Sequence, residues 1–150
     1  MKVREFKREL WLPRPLAQIF PFFADPANLE TLTPSWLKFH VSTMSPPQLR
    51  VGALIDYRLR VRGFPMLWQS EITAWEPPFC FIDEQRRGPY RLWQHDHRFI
   101  EKDCGTAIID TVRYAVPFDF LTHRLLVRPD LDRIFDFREQ KLRELFSGGS

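Results

Sequence analysis

The sequence predicts a single α+β domain. Its core is an antiparallel sheet of about seven strands, with two short helices after the first strand and a long C-terminal helix. Three observations carry this. Ile55, Tyr57, Leu59 and Val61 alternate with Asp56, Arg58, Arg60 and Arg62, the period-2 pattern of a half-buried strand. Leu131, Ile134, Phe135, Leu142, Leu145 and Phe146 recur at helical spacing opposite a charged face. The apolar runs between them are short, regularly spaced and bounded by turn residues, as hairpin-linked strands require.

Residues 3–12 read as the first strand, closed by Pro13. Pro15 suits the first position of a helix over 16–24, and Pro21 inside it predicts a kink or a short 3₁₀ stretch. Asp25-Pro26 pairs an N-cap with a first-turn proline and opens a short helix to Leu32, stopped before Pro34. Residues 37–44 read as a strand broken by Ser45-Pro46-Pro47. After the strand at 55–61, Arg62-Gly63 forms a two-residue hairpin turn. That register puts Phe64, Met66, Trp68, Ser70 and Ile72 on one buried face, up to Pro77-Pro78. Three more strands follow, at 79–86, 91–101 and 106–116, before Pro117. The last helix spans about 129–146, and the tail 147–150, Ser-Gly-Gly-Ser, reads as flexible. The domain is therefore expected over 1–146.

A chain of 150 residues can bury one sizeable core without disulfides. Aromatic residues make up 15% of it, and no low-complexity tract appears, so disorder is excluded. No run approaches the roughly 20 apolar residues of a membrane span, so no stable membrane insertion is expected. The charged first ten residues lack the apolar region of a signal peptide, and a cytoplasmic location is expected. Cys80 and Cys104 fit no zinc spacing and are expected reduced. The net charge of +3 comes from 22 basic and 19 acidic residues interleaved along the chain, so nucleic acid is not an expected partner. Nucleotide-binding loops, nucleophile elbows and metalloprotease motifs are absent, and no cofactor is expected.

Three stretches carry a family resemblance. The first is Phe20-Pro21-Phe22-Phe23-Ala24-Asp25-Pro26-Ala27-Asn28-Leu29. The second is Asp83-Glu84-Gln85-Arg86-Arg87-Gly88-Pro89-Tyr90 with Trp93, His95 and His97, and the third is Gly105-Thr106 with Asp110, Tyr114 and Pro117. With the order of elements, they make the chain resemble the START-like or SRPBCC superfamily over nearly its whole length. The likeness is to its small bacterial single-domain branch of ligand-binding and polyketide cyclase/dehydrase-like proteins. Pro21 departs from the family pattern. The resemblance implies the helix-grip fold, a curved sheet wrapped around the C-terminal helix, with a hydrophobic cavity between them. The implied partner is a small hydrophobic molecule, lipid-like or aromatic; an acid/base enzyme of the cyclase/dehydratase type is the alternative. The sequence assigns no oligomeric state.

Tyr57, Phe64, Met66, Trp68, Phe81, Trp93, Phe99 and Tyr114 fall on the face assigned inward, where they either line a cavity or fill it. Strand parity places His95 and His97 beside Trp93 and Phe99, and Asp110 beside Ile108, Val112 and Tyr114. Asp83 shares a face with Phe81 and Gln85. A three-residue loop at 88–90 sets Asp83 opposite His95, and a turn at Lys102-Asp103 sets His95 opposite Asp110 and His97 opposite Ile108. The candidate ligand-binding set is therefore Tyr57, Met66, Trp68, Phe81, Asp83, Trp93, His95, His97, Asp110 and Tyr114, with His95 and Asp110 as the candidate catalytic pair. A histidine between carboxylates serves structure, ligand orientation or proton transfer. His95 and His97 also have the spacing of two metal ligands, but no metal is assigned.

Overall fold

The computed structural model describes residues 1–45 and 47–146; Pro46 and the tail at 147–150 lie outside the described residues. The elements run β1 (Arg4–Leu12), α1 (Leu16–Phe23), α2 (Asn28–Thr31), β2 (His40–Ser45), β3 (Leu54–Val61), β4 (Phe64–Glu76), β5 (Cys80–Arg87), β6 (Leu92–Lys102), β7 (Gly105–Ala115), α3 (Asp119–Thr122) and α4 (Arg128–Phe146). A 3₁₀ turn occupies Ser35–Leu37, and a π-helical turn at His123–Val127 joins α3 to α4. The seven strands form one antiparallel sheet in the order β1-β7-β6-β5-β4-β3-β2. This is the helix-grip architecture, with α4 as the long C-terminal helix.

Local chemistry explains the boundaries. Arg62 and Gly63 both take positive φ, 50° and 85°, so β3 and β4 meet through the tight turn that suits strand twist, with Val61 opposite Phe64. β4 is bulged against β5 between Gln69 and Ser70 and again between Ile72 and Ala74. Such bulges add local twist and bend the long strand. Asp25 Oδ1 accepts from the Ala27 amide at 3.0 Å and sets the entry to α2.

Three expectations are corrected. α1 is α-helical through Pro21, with no 3₁₀ stretch there; the proline lies on the exposed side and removes one backbone donor. β2 starts at His40 rather than Leu37, because Ser35–Leu37 coils and Lys38 turns left-handed at φ 49°. The β6–β7 turn falls at Asp103-Cys104, with φ 52° and 61°, not at Lys102-Asp103. Gly105 is then held where an added Cβ would strike the Leu12 carbonyl and the Trp11 ring.

The core has two parts. Leu12, Ile19, Phe20, Phe23, Ile72, Phe81, Phe99 and Leu142 pack beneath α1 and the end of α4. Phe6, Val112, Tyr114, Leu131 and Phe135 pack beneath its first turns. Among the described residues, no helix is long and apolar enough to cross a membrane.

Candidate functional site

Moving the β6–β7 turn along by one position slides the pairing by two residues, which changes which strand residues face one another. Asp83 pairs with His95, as the loop at 88–90 predicts, but His95 pairs with Val112, and His97 lies between Phe81 and Asp110. An even slide keeps every side chain on its face, so the same four polar groups still meet. They meet on the diagonal. His95 Nε2 lies 2.7 Å from Asp110 Oδ1, and His97 Nε2 lies 2.7 Å from Asp83 Oδ2. The two imidazoles stack with centroids 3.6 Å apart, and Phe81 stacks on the other face of His97 at 4.0 Å.

A fifth member comes from α4. Arg138 is only 8% exposed and holds Nη2 3.5 Å from Asp110 Oδ1, with its guanidinium over the rings of Phe23 and Phe135. It sits on the buried stripe Leu131, Phe135, Arg138, Leu142. Arginine is so seldom buried that the sequence reading leaves it on the charged face. The gap between Phe135 and Leu142 in the helical spacing is the signal that marks its place.

Burial alone would push Asp110 up, but the Arg138 charge and the hydrogen bond from His95 outweigh it and hold the carboxyl well below its usual range. Burial would likewise raise Asp83; the hydrogen bond and charge of His97 reverse this and lower it. Burial and the neighbouring His95 charge push His97 down to about 4, against the upward pull of Asp83. His97 is therefore neutral at pH 7. Because a carboxylate only accepts, Nε2–H donates to Asp83, and His97 Nδ1 keeps a lone pair that is buried 3.5 Å from Asp110 Oδ1 without a hydrogen-bond partner.

These groups close one end of a cavity of about 190 Å³ between the sheet and α4. Tyr57, Trp68 and Trp93 line it from the sheet, Tyr90 from the β5–β6 loop, and Leu131, Ile134 and Phe135 from α4. Trp68, Tyr90 and Trp93 pack on one another with centroids 4.8–5.5 Å apart. Trp68 Nε1 donates to Ser70 Oγ at 3.0 Å, so the indole edge is satisfied within the wall.

Of the ten candidate ligand-binding residues, Tyr57, Trp68, Asp83, Trp93, His95 and His97 line this cavity. Asp110 stands behind His95 and reaches the site through it. Phe81 packs in the core against His97, and Tyr114 is wholly buried under α4 with its hydroxyl 2.7 Å from His123 Nε2. Met66 and Phe64 continue the same strand face past the end of the cavity. Met66 lines a shallow outer groove with Lys38 and His40, and Phe64 is exposed. Tyr90, Ile134 and Arg138 join the wall without having been among the candidate site residues.

Asp83, His95 and His97 each bring one possible metal-ligand atom within 4.8 Å of the others. The Nε2 atom of each histidine already meets a carboxylate at 2.7 Å, and the cationic Arg138 borders the group.

A family model described as polyketide cyclase / dehydrase and lipid transport matches residues 12–143. The chain belongs to this family. It lies within the SRPBCC superfamily that the sequence resembles, and solved structures agree on the fold. CV1439 from Chromobacterium violaceum superposes with a TM-score of 0.75 at 13% identity, covering 97% of this chain and 99% of that one. TTHA0849 from Thermus thermophilus gives 0.70 at 15% identity, covering 95% and 99%. A Thalictrum norcoclaurine synthase point mutant in complex with a transition state analogue gives 0.69 at 13%, covering 95% and 96%. At such identities the likeness is one of fold. No curated protein matches the chain. Polyketide cyclase / dehydrase and lipid transport proteins bind hydrophobic molecules, and this member has an apolar cavity in keeping with that general role.

Proposed function

We propose that the protein binds a small, ring-sized apolar molecule bearing one hydrogen-bond donor, with the rings against Trp68, Tyr90 and Trp93 and the donor at Asp83. The observation that carries this reading is the cavity, lined mostly by apolar side chains with Asp83, His95, His97 and Arg138 grouped together in its wall. Its volume of about 190 Å³ lies below the usual range for ligand pockets and is comparable with cavities that accept a single aromatic ring. One or two fused rings suit it better than a full acyl chain. The polar end supports the choice of head group. Asp83 and Asp110 are ionised and stand against Arg138 and the imidazole of His95, while His97 is neutral, so the group carries no positive surplus for an anion. Asp83 lines the cavity and its carboxylate only accepts, which favours a hydroxyl or amine.

Fluorescence titration with 2-naphthol and 2-naphthoate tests this. Naphthol is expected to bind more tightly, and Trp93→Ala to weaken it about tenfold. Preference for the carboxylate, or an unchanged affinity in the variant, would overturn the assignment.

A second reading, proton transfer on the bound molecule, is favoured by the 2.7 Å contact of His95 with Asp110 at the cavity wall. There Asp110 orients the imidazole and His95 moves the proton. A His95→Gln variant is then expected to retain ligand binding and lose turnover; full turnover in the variant excludes His95.

A further inference from the structure

The connection between β7 and α4 is built inside out. Its polar side chains turn toward the protein: Asp119 receives two hydrogen bonds from Arg4 at 2.8 and 2.9 Å, Thr122 Oγ1 donates to the Pro117 carbonyl at 2.8 Å, and His123 meets the buried Tyr114 hydroxyl. Its large apolar side chains turn to solvent. Phe118 is 69% exposed, Phe120 80% and Leu125 66%, and Leu121 and Leu126 are exposed as well. An isolated exposed leucine needs no explanation, but five large apolar residues within nine positions do. Phe118 holds a left-handed backbone at φ 54°, a conformation that costs a bulky residue energy and that here begins the segment. The π-helical turn at His123–Val127 follows, a form that recurs at functional positions in helices.

The surrounding charge says what this face meets. The fields at His123 come from Arg4, Arg128 and Lys2 against the carboxylate of Asp119; Arg4 holds that carboxylate, and Arg128 pairs with Asp132 at 3.4 Å, which among the described residues leaves Lys2 and Arg124 as the uncompensated cations beside this face. Arg124 is exposed and makes no ion pair among the described residues. A second copy meeting this face across a two-fold axis would set these cations against themselves. An anionic bilayer complements them, and apolar residues beside Arg and Lys form the pattern of interfacial docking.

We propose that Phe118, Phe120, Leu121 and Leu125, flanked by Lys2 and Arg124, dock the protein on an anionic membrane surface without spanning it. The docked segment runs straight into α4, whose Leu131, Ile134 and Phe135 line the cavity, so the cavity wall stands next to the bilayer. The proposal does not depend on which ligand the cavity takes.

Co-sedimentation of the full chain with phosphatidylcholine vesicles, with and without one quarter phosphatidylglycerol, tests it. Binding is expected with the anionic vesicles and should fall as salt rises. Substituting Phe120→Ser together with Leu125→Ser should lower partitioning at least tenfold, and Arg124→Ser about fivefold. These side chains are exposed, so an unchanged unfolding midpoint is the control for folding. Phe120→Trp gives a separate readout, a blue shift of emission on adding anionic vesicles. Absence of vesicle binding, equal binding by the double-serine variant, or no blue shift would overturn the proposal. So would a dimer at micromolar concentration that the double substitution dissolves without any vesicle binding.

Discussion

His97 is the residue at which acidity enters the structure. It is stacked between Phe81 and His95, and burial lowers it to about 4 from an ordinary value near 6.5. A histidine that resists protonation in the folded state takes up its proton more readily when unfolded, so its contribution to stability rises with pH. That contribution is complete above about 6.5 and is lost as pH falls toward 4, with a ceiling of roughly 3 kcal/mol. Asp83 and Asp110, both held below their ordinary values, extend the loss to lower pH. Urea unfolding at pH 7 and 4.5 should therefore show a large drop for the native chain. His97→Gln keeps a donor for Asp83 but has nothing to titrate, and its drop should be smaller; parallel drops would refute this account. The four members of this group on the sheet are legible in the sequence because strand parity alone brings them to one face. Arg138 is not, because its burial depends on a carboxylate from a strand 28 positions earlier in the chain.

At the scale of elements, turn chemistry decides what period cannot. Alternation assigns a face to each residue of β6 and β7, but it is blind to a slide of two. The left-handed pair Asp103 and Cys104 and the crowded Gly105 settle the register. The Leu12 carbonyl beside Gly105 is backbone in a paired strand and has little room to yield. Gly105→Ala is thus expected to cost about 1–3 kcal/mol through overpacking. Thermal melting would register this as a shift of several degrees, and an unchanged midpoint would show that β1 can move aside. The α3 segment between Pro117 and Pro129 escapes sequence reading for a different reason. Its apolar residues follow no inward period, because they do not face inward.

At the scale of the molecule, the sheet, the helices over it and the cavity follow from one arrangement. α4 crosses the concave face, its first half lining the ligand space and its last turns completing the core with Leu142. The fold class was legible because the strands alternate cleanly and are bounded by turn residues and prolines. The volume of the cavity was not, since it depends on how far Trp68, Trp93 and Phe135 fill the gap. The strand order also has a consequence in time. β1 is the first strand made, yet its only partner in the sheet is β7, about a hundred residues later. At a synthesis rate of roughly 5–20 residues per second, the apolar row of Phe6, Leu10 and Leu12 waits for about 5–20 seconds before its place exists. The charged residues between them, Lys7, Arg8 and Glu9, keep that waiting strand in solution and ward off neighbouring nascent chains.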